Sequence, residues 1–314
     1  MSMPTQKKIS FVIPAFNEAS NIPKLYDELV NILKGKPYQL EFLFVDDGST
    51  DKTLEIIKSL SIKDNRVFFI ELSRNFGHQN ALKAGLDFAT GDCVITMDSD
   101  LQHPPALVID LINKWEEGFD VVFTKRKEDK NLSWFKRKTS YLFYALHNQL
   151  SDFKLENGTA DFRLMSRVVL NAFIHLRENE LFIRGLIKWS GFRQIAICYE
   201  PQERFSGESK YKIRQMFSFA LRGIVSSSVK PLKIAAYLGL LLFLPSVILV
   251  FYALSSYFLG QTVSGWTSIM ITTIFFGSLQ LMMLGIIGIY MSKLIIQSKQ
   301  RPLYFVRDTN YKNN

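Results

Sequence analysis

The sequence contains no Asp, Glu, Lys, Arg or His between residues 234 and 292. This stretch contains two apolar segments, residues 234–259 and 266–292, separated by a short polar turn. Each segment exceeds the roughly 20 residues that a helix needs to cross a bilayer. The alternative, two buried core helices, would need a much larger soluble domain than this chain provides. The missing charge therefore excludes a wholly soluble protein and predicts a C-terminal hairpin of two transmembrane helices.

Positive charge is also absent from the turn between the two segments, whereas basic residues flank the hairpin. Lys230 and Lys233 precede it, and Lys293, Lys299 and Arg301 follow it. By the positive-inside rule both ends are then cytoplasmic and only the turn lies outside. The N-terminus lacks the long apolar segment and the cleavage site of a signal peptide. The sequence thus predicts a multi-pass protein of the inner (cytoplasmic) membrane whose soluble part is cytoplasmic.

Cysteine is scarce, since the chain has only Cys93 and Cys198. Both lie in apolar, strand-like stretches without a pairing pattern, so we predict two reduced core residues. The four histidines do not have the spacing of a metal site. These absences exclude a disulfide-stapled secreted module.

The first 125 residues alternate apolar, strand-like stretches with helical ones. The predicted strands cover residues 9–14, 40–45, 67–72, 93–97 and 121–124, and the predicted helices cover 22–33, 54–60, 79–90 and 105–115. A polar loop is predicted to end at residue 163, followed by two short helices and a strand at 194–199. Strand–helix alternation at this spacing favours a parallel α/β sheet. Ligands of such sheets bind beyond the carboxyl ends of the strands.

Acidic residues follow three of the predicted strands. Glu18 comes after the first, Asp46 and Asp47 after the second, and Asp98 and Asp100 after the fourth. A single Asp-x-Asp is more often a solvated turn. Three acidic strand ends at one edge of a sheet are costly unless a cation or hydrogen-bond donors compensate the charge. Because hard oxygen ligands suit Mg²⁺ or Mn²⁺, the pattern predicts a divalent cation that also binds phosphate.

The acidic motifs resemble a known family. The motifs are Pro14-x-x-Asn17-Glu18, Asp46-Asp47-Gly48-Ser49 and Asp98-x-Asp100-Leu101-Gln102-x-Pro104-Pro105. In this order they resemble family 2 of the glycosyltransferases, which implies the Rossmann-like GT-A fold. More narrowly, the chain resembles the polyisoprenyl-phosphate glycosyltransferases, which include dolichol-phosphate mannose synthases and bactoprenol (undecaprenyl-phosphate) glucosyltransferases. The segments Asn75-Phe76-Gly77, Asp161-Phe162-Arg163 and Arg204-Phe205-x-Gly207-x-Ser209-Lys210 are similar to the bactoprenol branch.

The resemblance implies an organisation into four parts. We expect a cytoplasmic GT-A catalytic domain over residues 1–204 and an amphipathic juxtamembrane segment over 205–233. The transmembrane hairpin follows over 234–292, and a basic cytoplasmic tail over 293–314. Similarity to the bactoprenol branch further implies a homotetramer.

The resemblance also implies roles for individual residues. The nucleotide-sugar would be bound by Pro14, Asn17, Glu18, Asp46, Asp47, Asp98, Ser209 and Lys210. Mg²⁺ or Mn²⁺ would be bound by Asp98, Asp100 and Gln102. The catalytic candidates are Asp100, Asp161 and Arg204. Asp161 is expected to act as a base or as an orienting group, and the alternative is a helix cap before residues 162–170.

The acceptor phosphate is expected on basic residues that join the sheet to the membrane. Arg126 closes the fifth strand at the edge that carries the Asp-x-Asp. Lys136 and Arg137 open an aromatic segment suited to the membrane interface, and Ser140 follows one turn later. A solvated basic face and a nucleic-acid patch are the alternatives. Since no nucleic-acid-binding motif accompanies these residues, we expect no nucleic-acid partner.

The expected activity is inverting transfer of one sugar from a nucleotide-sugar to polyprenyl (undecaprenyl) phosphate for cell-envelope glycosylation. By resemblance the donor is UDP-glucose. GDP-mannose, UDP-N-acetylglucosamine and an aminoarabinose nucleotide are alternative donors. The Gln-x-x-Arg-Trp motif of processive synthases is absent, which favours a single transfer. A non-catalytic membrane adaptor is the remaining alternative, and the intact acidic motif argues against it.

Overall fold

The computed structural model describes residues 6–126, 159–175, 183–200 and 265–311, together with single positions between 232 and 259. The chain divides into two compact units. The first unit contains a β-sheet, the helices packed on it and the residues from Arg301 onward. The second contains the long C-terminal helix.

The described elements alternate strands and helices as far as residue 126. The strands are β1 (Lys8–Ala15), β2 (Gln39–Asp46), β3 (Val67–Leu72), β4 (Cys93–Thr96), β5 (Val121–Arg126), β6 (Thr159–Ser166), β7 (Gln194–Tyr199) and β8 (Val306–Thr309). The helices are α1 (Ile22–Leu33), α2 (Thr53–Lys63), α3 (His78–Phe88), α4 (Leu107–Glu116), α5 (Arg167–Ile174), α6 (Ile183–Trp189) and α7 (Trp266–Ser298). All strands and helices predicted in the first 125 residues are confirmed, as are the two short helices and the strand at 194–199.

The five strands predicted in the first 125 residues run parallel to one another, as expected, but the complete described sheet is mixed. The described strands have the order β7-β5-β6-β4-β1-β2-β3-β8. Strand β6 lies between β4 and β5 and is antiparallel to both, and β8 is antiparallel to β3. Strand β6 was predicted as the end of a loop because it carries Asp161 and Arg163. These residues are buried here as an ion pair, which polarity alone does not reveal.

Helices cover both faces of the sheet. Helices α1, α2 and α4 bury residues such as Leu25, Ile57 and Val108 against one face. Helices α3, α5 and α6 cover the other face. Gly85 lets α3 approach β1, since a Cβ atom at this position would overlap the side chain of Val12. Burial on both faces explains why β1 to β4 read as continuous apolar runs.

The residues that follow α7 return to the sheet. Strand β8 pairs with β3 and forms the edge of the described sheet, and Glu71 of β3 lies opposite Asp308 of β8. Lys58 bridges these two carboxylates, with its Nζ 3.1 Å from Glu71 Oε2 and 2.9 Å from Asp308 Oδ2. The sequence indicated only a basic tail here, because a four-residue strand with two charges has no strong apolar pattern.

The two cysteines lie in different environments. Cys93 is buried in the central strand β4, as predicted, and burial raises the pKa of its thiol. Cys198 is exposed, so the prediction of a second core residue is wrong. Strand β7 is at the end of the sheet, and only part of its surface is covered.

Helix α7 contains the segment Phe275–Ser298, which is long and apolar enough to cross a bilayer. It is the one helix of this kind among the described residues. Its large apolar side chains point outward, with Leu281 71% and Leu294 64% exposed. Most of the first predicted span, residues 234–259, lies outside the described residues.

A buried carboxylate, that of Glu41, accepts hydrogen bonds from several segments at the amino-terminal edge of the sheet. Glu41 on β2 is only 1% exposed and accepts hydrogen bonds from Lys8 Nζ (2.6 Å) and Ser10 Oγ (2.5 Å). The backbone N–H of Thr90 (3.0 Å) and the hydroxyl of Tyr311 (3.3 Å) also donate to it. Burial raises the pKa of Glu41, but the hydrogen bonds from Lys8, Ser10 and Thr90 outweigh it, so that the pKa lies below its ordinary value.

We predict that Glu41→Gln destabilises the protein by about 2–3 kcal/mol, because Lys8 then loses its counter-ion. Since the folded pKa is depressed, this stabilisation is present above a pH of about 4.5 and is lost as the pH falls through the folded pKa. Thermal unfolding of the full chain in detergent measures both effects. The difference between wild type and variant should shrink from pH 7 to pH 3.5, and an equal difference at both would contradict this account. Glu55→Gln, on the exposed face of α2, is the control.

Candidate active site

The carboxyl-terminal ends of β1, β2, β4, β5 and β7 form one edge of the sheet, and β6 begins there. The structure places all ten described site candidates at this edge or in the loops that leave it. They are Pro14, Asn17, Glu18, Asp46, Asp47, Asp98, Asp100, Gln102, Arg126 and Asp161. The other candidates, Lys136, Arg137, Ser140, Arg204, Ser209 and Lys210, lie outside the described residues.

The loops after β1 and β2 are hydrogen-bonded to each other. The Asn17 N–H donates to Ser49 Oγ (3.0 Å), and Asn17 Oδ1 accepts from the Thr50 N–H (2.8 Å). Asn17 has a φ of 58°, a left-handed conformation that asparagine tolerates better than most residues. The Glu18 N–H donates to Thr53 Oγ1 (2.8 Å) at the start of α2. These hydrogen bonds join the two loops into one side of the site.

The two neighbouring aspartates after β2 have different surroundings. Asp47 accepts the backbone N–H groups of Phe76 (2.7 Å) and Gly77 (3.0 Å), so its carboxylate fixes the loop after β3. Asp46 accepts from the Ser49 N–H through Oδ2 (3.2 Å), while its buried Oδ1 has no partner among the described residues. Burial raises the pKa of both carboxyl groups. Asp46 therefore has an oxygen available for a ligand, whereas Asp47 positions the backbone.

The Asp-x-Asp turn contains two half-buried carboxylates. Asp100 accepts from the backbone N–H (3.1 Å) and the side-chain Nε2 (2.7 Å) of Gln102. Asp98 lies between two histidines, 3.1 Å from His103 Nε2 and 3.4 Å from His78 Nε2. Burial raises the pKa of Asp98, but the hydrogen bond from His103 and the charge of His78 outweigh it and lower the pKa overall.

The oxygen atoms of Asp98, Asp100 and Gln102 fit a hard divalent cation. Among the described residues, no group of three or more His, Cys, Asp or Glu side chains could hold a metal ion by itself. A cation at this turn would therefore take its other ligands from phosphate and water. Mg²⁺ is commonly bound in this way, by one or two carboxylates together with substrate phosphates.

Asp161 is fixed by two arginines. Its two oxygens accept from Nε (2.8 Å) and Nη2 (2.7 Å) of Arg184, and Arg163 Nη2 lies 3.1 Å from Oδ1. Burial by itself raises the pKa of Asp161, but the hydrogen bonds from Arg184 and His78 outweigh it and hold the pKa well below its usual range. An ionised, doubly paired carboxylate is a weak base, so the geometry favours orientation over proton transfer.

The alternative reading of Asp161 as a helix cap is wrong. The residue lies within β6, and the next helix, α5, begins at Arg167.

Arg126 lies at the same edge, as predicted, and contacts the Asp-x-Asp turn. Its Nη2 donates to Gln102 Oε1 (3.1 Å), and its Nε donates to the hydroxyl of Tyr199 (3.0 Å). That hydroxyl is 2.8 Å from His103 Nδ1. The arginine thus reaches Asp100 through Gln102 and Asp98 through Tyr199 and His103.

Four members of this network had no role predicted from the sequence, namely His78, His103, Arg184 and Tyr199. His78 follows Asn75-Phe76-Gly77 and opens α3 at the carboxyl edge, a position that could have indicated a role. Arg184 and Tyr199 reach the site only through the order of β5, β6 and β7, which the linear pattern does not contain.

We predict that Asp161→Asn lowers stability by about 3–5 kcal/mol, because Arg163 is only 2% exposed and cannot regain water when its counter-ion is removed. Arg184→Gln is the matched comparison and should cost less, since Arg184 is 38% exposed and its loss leaves the Asp161–Arg163 pair intact. Thermal midpoints of the full chain in detergent rank the two variants. A wild-type midpoint for Asp161→Asn would show that another group compensates Arg163.

Comparison with known proteins identifies the family to which this chain belongs. Residues 10–173 match the model of glycosyl transferase family 2. The chain is 39% identical over 302 residues to the glycosyltransferase YkcC of Bacillus subtilis, covering 95% of this chain and 93% of that protein. It is also 39% identical over 308 residues to the bactoprenol glucosyl transferase of Shigella phage SfV, covering 97% and 100%.

Among solved structures, mannosyl-3-phosphoglycerate synthase from Rubrobacter xylanophilus aligns with a TM-score of 0.49 and 18% identity, covering 69% of this chain and 72% of that one. The family match spans more than half of this chain, and the relatives align with nearly all of it. The protein is therefore a glycosyltransferase that belongs to glycosyl transferase family 2.

Proposed function

We propose that the protein transfers one glucose from UDP-glucose to polyprenyl phosphate with inversion at the anomeric carbon. One observation carries the proposal. A pair of carboxylates suited to a cation, Asp98 and Asp100, is joined by hydrogen bonds to an arginine suited to a phosphate, Arg126. A reaction between a nucleotide-sugar and a lipid phosphate needs both kinds of group side by side. Relatives named bactoprenol glucosyl transferase support this acceptor and this sugar.

On the donor side, Pro14, Asn17, Glu18, Asp46 and Asp47 would line the nucleoside pocket. Asp46 would use its unpartnered Oδ1, while Asp47 would hold the loop at Phe76 and Gly77 in place. When bound by Asp98, Asp100 and Gln102, Mg²⁺ or Mn²⁺ supplies charge stabilisation for the departing diphosphate. Arg204, Ser209 and Lys210 are proposed to close over the same phosphates.

On the acceptor side, the nucleophile is a phosphate oxygen that is already anionic at neutral pH. A strong base is therefore unnecessary, which agrees with the depressed pKa of Asp161. Asp161 would instead orient the reacting groups through its fixed carboxylate. Arg126 would bind the acceptor phosphate, and Lys136, Arg137 and Ser140 would complete that site. Attack from the face opposite the leaving diphosphate inverts the configuration.

We also propose a membrane location with the catalytic unit in the cytoplasm, where nucleotide-sugars are made. The outward-facing Leu281 and Leu294 of α7 support a helix in lipid, since a core helix would bury such side chains. The proposal also includes a second transmembrane span at residues 234–259 and assembly into a homotetramer. The four parts of the chain would end at residues 204, 233, 292 and 314. The retained Asp98, Asp100 and Gln102 argue against a non-catalytic adaptor.

The activity is tested by adding radiolabelled nucleotide-sugars to membrane vesicles that contain undecaprenyl phosphate. We expect labelled lipid from UDP-glucose in inverted vesicles, but not in sealed right-side-out ones. Asp100→Asn should abolish transfer and weaken Mn²⁺-dependent UDP binding, because one hard ligand and one charge are lost.

Each result has a separate meaning. Label from GDP-mannose, UDP-N-acetylglucosamine or an aminoarabinose nucleotide instead would change the donor. Near wild-type, chelator-insensitive activity of Asp100→Asn would refute the metal assignment. Transfer in right-side-out vesicles would reverse the orientation.

We further predict that Arg126→Ala raises the KM for lipid phosphate by a factor that corresponds to roughly 2–4 kcal/mol and leaves UDP binding nearly intact. A screened surface charge would be worth less than about 1 kcal/mol. Arg193→Ala is the control, because this arginine precedes β7 and stacks on Phe119, 4.5 Å from the ring centre. Unchanged lipid dependence, or an equal loss of UDP affinity, would move the acceptor site elsewhere.

A further inference from the structure

The hydroxyl of Tyr199 joins the two halves of the site. Tyr199 is the last residue of β7 and is only 4% exposed, and its neighbour His103 is 1% exposed. The hydroxyl accepts from Arg126 Nε and lies 2.8 Å from His103 Nδ1. His103 Nε2 in turn lies 3.1 Å from Asp98 Oδ2. Nothing in the sequence motifs assigns a role to this tyrosine.

With a neutral His103, the hydrogen bonds that run from Arg126 through Tyr199 and His103 to Asp98 have one consistent direction. Because Arg126 can only donate, the Tyr199 oxygen accepts from it and uses its own proton to donate to His103 Nδ1. His103 then carries its proton on Nε2 and donates to Asp98. The Tyr199 hydroxyl and both ring nitrogens of His103 then have hydrogen-bond partners, and the guanidinium of Arg126 is fixed relative to the Asp-x-Asp turn.

The same contacts decide which edge of the guanidinium can bind a ligand. The bonds to Tyr199 and Gln102 use Nε and Nη2, which form one edge of the planar group. The adjacent edge, Nη1 and Nη2, can then bind two phosphate oxygens. The orientation of this edge depends on two anchors, one on β7 and one in the turn after β4.

We propose that Tyr199 is a positioning residue that orients Arg126 toward the acceptor phosphate while tying it to the turn that binds the donor. The inference rests on the proposed function, because it assumes that Arg126 binds the acceptor. Tyr199 itself does not touch substrate. Its hydroxyl sets the position of the acceptor phosphate relative to the diphosphate of the donor.

The test is Tyr199→Phe, which removes the hydroxyl and keeps the ring. In purified full-length protein we expect the KM for undecaprenyl phosphate to rise about tenfold, which corresponds to about 1.4 kcal/mol. The KM for UDP-glucose and the Mn²⁺ concentration for half-maximal activity should change less than about twofold. Calorimetric titration with farnesyl phosphate, in the presence of Mn²⁺ and UDP, should show the same weakening without turnover.

Tyr38→Phe is the matched control. Its hydroxyl donates to Glu116 (3.1 Å) near the opposite edge of the sheet, so the KM for lipid phosphate should not change. A tyrosine with a merely structural role would lower the thermal midpoint and leave the KM for lipid phosphate unchanged.

A double-mutant cycle separates this inference from the proposed function. If Tyr199 acts through Arg126, Tyr199→Phe should have no further effect on the KM for lipid phosphate in an Arg126→Ala background. Fully additive effects would overturn the inference. An increase for Arg126→Ala with none for Tyr199→Phe would overturn the inference alone. No increase for Arg126→Ala would overturn the acceptor assignment and the inference together.

Discussion

The compensation of several buried carboxylates at one edge of the sheet is the constraint on which the site depends. Asp46, Asp47 and Asp161 are nearly inaccessible to water, and Asp98 is half-buried beside them. Like charges this close are unfavourable without partners. Asp47 is compensated by backbone N–H groups, Asp98 by two histidines and Asp161 by two arginines. The type of partner decides what each carboxylate can do.

These partners divide the edge into regions with different chemistry. Near β2, Asp46 and Asp47 accept hydrogen bonds from backbone N–H groups, and only Oδ1 of Asp46 has no partner among the described residues and could accept from a ligand. At the turn after β4 the carboxylates are accessible enough to bind a cation. Toward β5 and β7 the charge becomes positive through Arg126. The order of these regions along the edge follows the order of the strands, so the fold itself places the carboxylates of the Asp-x-Asp turn beside the guanidinium of Arg126.

The strands and helices before residue 126 could be predicted from the sequence, because the strands are buried on both faces and therefore form apolar runs. Strand β6 could not be predicted. Asp161 and Arg163 are tolerated in this buried strand because they form an ion pair, and a contact of the folded structure is not visible in the sequence pattern. Most of the site candidates follow predicted strands, where a parallel arrangement brings them together. Tyr199 and Arg184 could not be found in this way. Arg184 contacts Asp161 on the antiparallel strand β6, and Tyr199 contacts Arg126 because β7 pairs with β5, and neither pairing can be read from the linear pattern.

The pairing of β8 with β3 has a consequence for biosynthesis. A ribosome makes α7 before it makes β8, so the sheet has an open edge at β3 while the long apolar helix is being synthesised. Unpaired strand edges promote association with other chains. Completion of the sheet must therefore wait for the residues beyond Arg301, and the first unit reaches its final form only after the long apolar helix α7 has been synthesised.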